Sequence, residues 1–394
     1  MSILDEVINK INKGYGEKII TYGVTTDEYK KIKKIPFTSP RANYMMYGGI
    51  PRGRIIEFAG EPSGGKTTTA LDITAHAQEI FNQEYEDKVN NSKKESKGAI
   101  KQQVLYVDAE NTLDLDWAVL LGVNLDDLIL YKPQEQSAEE IFEDIYSIVK
   151  TGTIGLVIID SLGVLISGQA YEKSIEQRTY GGISMPLTIF SKKISPICSK
   201  FNCTLIGINQ IRDNMNSMYG GVTTTGGKAW QHTCSLRVMF RKGAFVNELG
   251  DEIKKSSEDP AGNKVSMDII KSKCFRSDRR VGFYTLNYSY GIDSSQDLFD
   301  IAIKYDYIHQ GGAWYTFRNP ITKEDMYDSD GNLLKFQGKR NVLSALDENP
   351  EVRKVIEDAI NKLIYDFDNE EKDLLKESVE EEDKLFNIPL KSEE

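Results

Sequence analysis

An apolar run, Ile55–Ala59, leads directly into Gly60-Glu61-Pro62-Ser63-Gly64-Gly65-Lys66-Thr67, which fits the pattern G-x-x-x-x-G-K-[ST]. The spacing has a physical purpose. Glycines let the backbone curl so that successive N–H groups converge on a phosphate. Lys66 is placed to reach the β- and γ-phosphates, and the Thr67 hydroxyl to ligate Mg²⁺. A helix predicted over Thr68–Ala77 turns its N-terminus toward the same anion. The pattern commits the chain to a strand–loop–helix core that takes ATP with Mg²⁺.

Short runs rich in β-branched residues recur at Val104–Val107, Leu156–Ile159, Thr204–Ile208 and Ser235–Phe240. With helical segments between some of them, they predict buried parallel strands and an α/β fold. The run Leu156–Ile159 ends in Asp160, a carboxylate placed to complete the metal site. The run Val104–Val107 passes into Asp108-Ala109-Glu110. There Glu110 is the candidate to activate water, the bland alternative being a solvated loop acid.

Apolar residues at 40% and charged residues at 28% describe a soluble globular chain. The most apolar stretch, Thr153–Gly168, is interrupted by Asp160, so no membrane span is expected. Asp5 and Glu6 stand where a secretory signal would be basic and then apolar, so a cytoplasmic location is expected. Cys198, Cys203, Cys234 and Cys274 lack metal-ligand pairing and read as reduced structural thiols. With three histidines a zinc site is not expected. The net charge of −11 argues against nucleic acid until its distribution is seen. Residues 366–394 hold twelve acidic and four basic side chains, which leaves only −3 on the rest. A near-neutral body can hold a basic groove, and the tail can compete for it or simply solubilise.

The chain divides by pattern into an arm (1–39), a core (40–291), a small α+β module (292–365) and an acidic tail (366–394). Residues 2–14 read as an amphipathic helix, followed by a strand-like Lys18–Tyr22. The polar stretch 81–103 either prolongs a helix or forms a loop. Helices are expected at Asp297–Lys304 and Pro350–Tyr365. No internal repeats occur.

Taken together, Glu61–Thr67, Asp108-Ala109-Glu110, Asp160-Ser161 and Ile208-Asn209-Gln210-Ile211-Arg212 resemble the RecA-type recombinases. So do Ile11–Gly16, Gly49–Arg54, Gly312-Ala313-Trp314-Tyr315 and Asn349-Pro350-Glu351, so the likeness spans residues 3–365. It implies a mostly parallel twisted sheet flanked by a polymerisation arm and a small C-terminal domain. It implies a DNA-dependent ATPase that forms filaments on single-stranded DNA and exchanges strands with duplex DNA, with a single-strand-binding protein as a further partner. Carried over by position, Lys66, Glu110 and Gln210 act in hydrolysis, Gln210 sensing the γ-phosphate. Lys271 and Lys273 reach a neighbouring subunit's ATP. Gly60 to Thr68, Asp114, Trp117 and Tyr288 contact nucleotide, and Thr67 and Asp160 hold the metal. DNA falls to Lys192, Arg212, Met218, Tyr219, Thr223, Thr224, Thr225, Gly226, Gly227 and Lys228. Residues Ala170–Gly182 correspond to a first DNA loop.

The residues themselves agree with these roles. Gln210 ends a buried run and opens a Gly- and Thr-rich segment, whose hydroxyls and N–H groups suit phosphate contacts that read no sequence. Met218 and Tyr219 suit wedging or stacking on bases. Lys271 and Lys273, two apart on a predicted strand Ser266–Lys273, share a face. The chain departs from the family at Glu61-Pro62-Ser63-Gly64-Gly65 and at Ala229-Trp230-Gln231-His232. Alternative readings are a recombination mediator or scaffold paralogue with weak ATPase, and another DNA motor of the same fold.

Overall fold

A computed structural model describes residues 2–16, 19–21, 32–91, 99–172, 182–213, 222–254, 259–276, 278–328 and 330–364. Two compact units are present, Met1–Lys34 and Ile35–Glu394. The first contains helix α1 (Ile3–Tyr15). A reciprocal cap between Ser2 and Asp5 starts this helix, and Gly16 in the left-handed region ends it. Its Ile3, Leu4 and Val7 are exposed. Asn12 exchanges two hydrogen bonds with the backbone of Ile20. Of the expected strand Lys18–Tyr22, residues 19–21 are described and form no strand; Ile20 is tied to Asn12 instead of to a neighbouring strand.

The second unit runs through α2 (Pro40–Met45), β1 (Ile55–Gly60), α3 (Lys66–Asn91), β2 (Gln103–Asp108), α4 (Leu115–Leu120), β3 (Leu128–Tyr131), α5 (Ala138–Val149) and β4 (Ile154–Asp160). It continues with α6 (Ser184–Phe201), β5 (Thr204–Asp213), β6 (Val222–Thr224), α7 (Gly227–Thr233), β7 (Leu236–Val246), β8 (Gly262–Ser272), β9 (Val281–Asn287) and β10 (Gly291–Ile292). The sheet order is β10-β9-β8-β7-β1-β5-β4-β2-β3, with β6 on β5. From β7 across to β3 the pairing is parallel, and from β7 outward to β10 it is antiparallel. This is the α/β fold class that the sequence implied.

Every residue of β1 and β4 is buried, as befits parallel strands covered on both faces. One core lies under α3 and includes Phe58, Phe81, Tyr106 and Tyr284. The other lies under α5 and α6 and includes Phe142, Phe190 and Trp230. The polar stretch from 81 prolongs α3 as far as Asn91, which resolves that choice up to the limit of the described residues.

A third core belongs to the C-terminal module. It is built from α8 (Ser294–Lys304), the antiparallel β11 (Ile308–Gly311), β12 (Trp314–Phe317) and β13 (Lys335–Gln337), α9 (Lys339–Glu348) and a helix over 350–364. The acidic tail lies outside the described residues. Among the described residues no helix is long and apolar enough to cross a membrane. All four cysteines are free, three of them buried.

Candidate functional site

Parallel strands bring their C-terminal ends to one edge, and register decides which side chains meet there. Gly60 is level with Gln210 on one neighbour, and Asp108 is level with Asp160. The phosphate loop, Glu110, Asp160 and Gln210 therefore converge, although they span 150 residues of sequence.

Within the loop, Gly60 has φ +155°, and an added Cβ would stand 2.3 Å from the Phe240 carbonyl oxygen. No other residue fits that approach. Lys66 is buried and donates to the carbonyls of Gly60 at 3.0 Å and Glu61 at 2.6 Å. Burial pushes its ammonium pKa down, and the charges of Asp160, Glu110 and Glu61 oppose this. Thr67 Oγ1 donates to Asp160 Oδ2 at 2.8 Å, and Tyr106 OH donates to the same oxygen at 2.8 Å. Burial raises the Asp160 pKa, and these two hydrogen bonds pull it back.

A hydroxyl and a carboxylate in contact, both oxygen donors beside a phosphate loop, suit Mg²⁺. That ion commonly takes one or two protein ligands, with phosphate and water completing its shell. Among the described residues no group of three or more His, Cys, Asp or Glu could hold a metal without such help.

Glu110 follows β2 and faces inward. Its Oε1 accepts from Gln210 Nε2 at 3.2 Å and from the Ser161 hydroxyl. The neighbouring Asp108 has another duty. Its two oxygens cap the backbone N–H groups of Thr112 and Leu113 at 3.1 and 3.2 Å. Asp114 likewise caps α4 through the Trp117 N–H at 3.1 Å. This turns the Trp117 indole toward Thr68 Oγ1, 3.4 Å away.

Other assigned residues are placed differently. Tyr288 is on the turn after β9, bonded to Asn263 at 2.8 Å. The tyrosine that supports the loop is Tyr284, whose OH lies 2.8 Å from Thr69 Oγ1 and directly beneath Gly65. Gln210 does not end its strand, because β5 continues to Asp213 and pairs antiparallel with β6. Thr223 is exposed on β6, opposite exposed Arg212. Thr224 turns inward instead, its hydroxyl accepting from Gln231 and Arg237 at 3.3 Å each. Gly226 packs against Leu187, and Gly227 against Ser184. Thr225 is half-buried, while Lys192 on α6 and Lys228 at the start of α7 are exposed. Met218, Tyr219 and most of Ala170–Gly182 lie outside the described residues.

Lys271 and Lys273 do share a face, and they meet the end of α7. Lys271 Nζ donates to the carbonyls of Gln231 and His232 at 2.6 and 2.8 Å, and Lys273 Nζ to His232 at 2.9 Å. Helix-end carbonyls carry partial negative charge and so favour cations. Burial, then the nearby Lys273 charge, pushes the Lys271 ammonium down. Sequence reasoning missed Tyr106, Ser161 and Tyr284. Only the Asp160-Ser161 pairing in the sequence could have pointed to one of them.

The RecA N-terminal domain family matches residues 2–293, and the RecA C-terminal domain family matches 296–365. Protein RecA of Phytoplasma mali is 30% identical over 364 residues, 92% of this chain and 95% of its own. Protein RecA of Leptospira meyeri is 32% identical over 317 residues, 80% of this chain and 70% of its own. Protein RecA of Staphylococcus carnosus is 29% identical over 395 residues, 99% of this chain and 98% of its own. With both family domains in sequence order and the candidate site residues gathered at one sheet edge, the chain belongs to the RecA family of DNA recombinases.

Proposed function

We propose that this recombinase is driven by DNA-dependent ATP hydrolysis at the Gly60–Thr67 loop, within a filament on single-stranded DNA. The observation that carries the reading is the Glu110 carboxylate, held by Ser161 and Gln210 beside Lys66, Thr67 and Asp160. Loop N–H groups and Lys66 would grip the β- and γ-phosphates. Thr67 and Asp160 would hold Mg²⁺, which when bound neutralises charge on the β- and γ-oxygens.

Glu110 is placed to take a proton from water as its oxygen attacks the γ-phosphorus and the bond to ADP breaks. Gln210 donates its amide to Glu110 and can instead turn it to the γ-phosphate. Trp117 offers a flat face for adenine. The exposed Arg212, Thr223, Lys192 and Lys228 would contact the DNA backbone without reading bases. Self-assembly fits α1, a capped amphipathic helix that exposes Ile3, Leu4 and Val7.

Lys66→Ala tests the reading. The change removes a buried charge aimed at the phosphates, so nucleotide binding by equilibrium dialysis and hydrolysis should both be abolished. Hydrolysis above about 5% of the wild-type rate, against the ~10²-fold or greater loss expected for electrostatic stabilisation, would refute it.

A further inference from the structure

A buried carboxylate outside the catalytic group ties its own strand to three other elements. Glu57, in the middle of β1, is wholly buried. Its Oε1 accepts from Asn209 Nδ2 at 2.9 Å and from Trp230 Nε1 at 3.0 Å. Its Oε2 accepts from Arg237 Nε at 2.5 Å. Burying such a charge is costly unless it is fully paired, so these three bonds hold β1, β5, α7 and β7 in one arrangement.

Each partner adjoins a part of the site. Asn209 immediately precedes Gln210, and its amide also donates to the Thr225 carbonyl at 2.8 Å. Arg237 bonds the Thr224 hydroxyl at 3.3 Å. Trp230 belongs to α7, whose final carbonyls hold Lys271 and Lys273. The indole also presses on β5 itself. A Cβ on Gly207 would lie 2.8 Å from Trp230 Cζ2. Glu57 and Gly207 are level across the β1–β5 pair, three positions before Gly60 and Gln210.

The network is unfinished on one side. Asn209 Oδ1 and Thr225 Oγ1 are buried with no hydrogen-bond partner among the described residues. Buried polar atoms are rarely left so, and both belong to the junction between β5 and the 222–225 segment.

We propose that Glu57 is a positioning residue that couples the 222–233 segment to Gln210 and the phosphate loop, with Trp230 as its contact. Movement of Thr225 and Trp230 on DNA binding changes the bonds that Glu57 makes to Asn209. That sets the Gln210 amide relative to Glu110 and the γ-phosphate. The inference rests on the proposed DNA-stimulated hydrolysis.

The test uses full-length protein carrying Glu57→Gln, Trp230→Phe or both. Glutamine keeps an acceptor but removes the charge facing Arg237, and phenylalanine keeps an aromatic ring but removes the N–H to Glu57 and the indole atoms that press on Gly207. ATPase is read without DNA and with saturating poly(dT), together with KM for ATP and melting temperature. Each single variant should keep its DNA-free rate and KM within about twofold of wild type. The poly(dT)-stimulated kcat should fall at least about tenfold, and the double variant should be no worse than the worse single, since residues of one network are not additive.

Full stimulation in both single variants overturns the inference. So does an equal fall of basal and stimulated rates with the melting temperature, or multiplicative losses in the double variant. Should Glu57→Gln not fold, Trp230→Phe alone decides by the same ratio. A wild-type protein that poly(dT) does not stimulate refutes the proposed function instead, and the coupling with it.

Discussion

The side-chain amide of Gln210 donates to the Glu110 carboxylate across 3.2 Å. Gln210 lies on the strand that continues into the exposed Arg212 and pairs with Thr223, while Glu110, unlike Asp108 and Asp160, is committed neither to a cap nor to the pair with Thr67. One hydrogen bond thus links the strand proposed to face DNA to the proposed water-activating group. Glu110→Gln should keep ATP bound and lower kcat by about 10²–10⁴-fold, the range for loss of a general base. Gln210→Ala should keep the DNA-free rate and lose stimulation by DNA. Single-turnover hydrolysis with and without single-stranded DNA separates the two. Loss of ATP binding in Glu110→Gln would show that Glu110 has another role.

Part of this site could be read before any coordinates. Glycine spacing marks a phosphate loop, and an apolar run ending in Asp160 marks a candidate metal ligand, because both depend only on near neighbours in sequence. That Asp108 turns to cap Thr112 and Leu113 is local, but that Glu110 meets Gln210, a hundred residues on, depends on strand register and is not. The extension of β5 past Gln210 was hidden because its partner β6 has only three residues. Glu57 and Arg237 were present as single charges inside apolar runs. Only the level pairing of β1 with β7 shows that they neutralise each other.

Stability should carry a pH signature from the C-terminal module. Asp297 is fully buried, and burial pushes its carboxyl from 3.8 up to about 7, opposed by Ser39 and Arg41. Between those values the folded chain holds a proton that the unfolded chain has released. The stability from this group is complete below pH 3.8 and is lost as pH rises to 7. Asp297→Asn is neutral throughout and keeps an acceptor for the Thr285 N–H. Its unfolding free energy should therefore gain on wild type between pH 5 and pH 8, by at most about 3 kcal/mol, with the melting temperature rising in step. A constant difference across that range would show that Asp297 stays ionised.

The tail gives an electrostatic prediction. Deleting residues 366–394 removes a charge of −8 from a chain of −11. Affinity for single-stranded DNA should rise at least about threefold at low salt, and the Mg²⁺ needed for half-maximal binding should fall. Both effects should fade as ionic strength screens the tail. Fluorescence anisotropy across a salt series measures them. Unchanged affinity at low salt would assign the tail to solubility alone.

The last prediction is that the active site is completed by a second subunit. Lys271 and Lys273 project together from the end of β8, where carbonyl oxygens of α7 accept from both. Neutral carbonyls offset two adjacent ammonium charges only in part, and Lys271 is already pushed toward its neutral form. A neighbour's triphosphate would supply the missing anion, and the lysines would stabilise charge on the transferring phosphoryl group as an arginine finger does. A purely structural role predicts something else, namely a loosened α7 and a lower melting temperature with no dependence on assembly. The two separate in a mixing experiment. Lys271→Ala/Lys273→Ala protein should bind ATP normally and hydrolyse almost none by itself, and Glu110→Gln protein should do the same. Co-assembled on DNA, the two should recover partial hydrolysis, because at some junctions an intact Glu110 from one subunit meets intact lysines from the next. Recovery should vary with the mixing ratio and peak near equal amounts. Absence of recovery in co-assembled filaments, or full activity in a dilute monomer, would exclude a shared site and leave the lysines as the cap of α7.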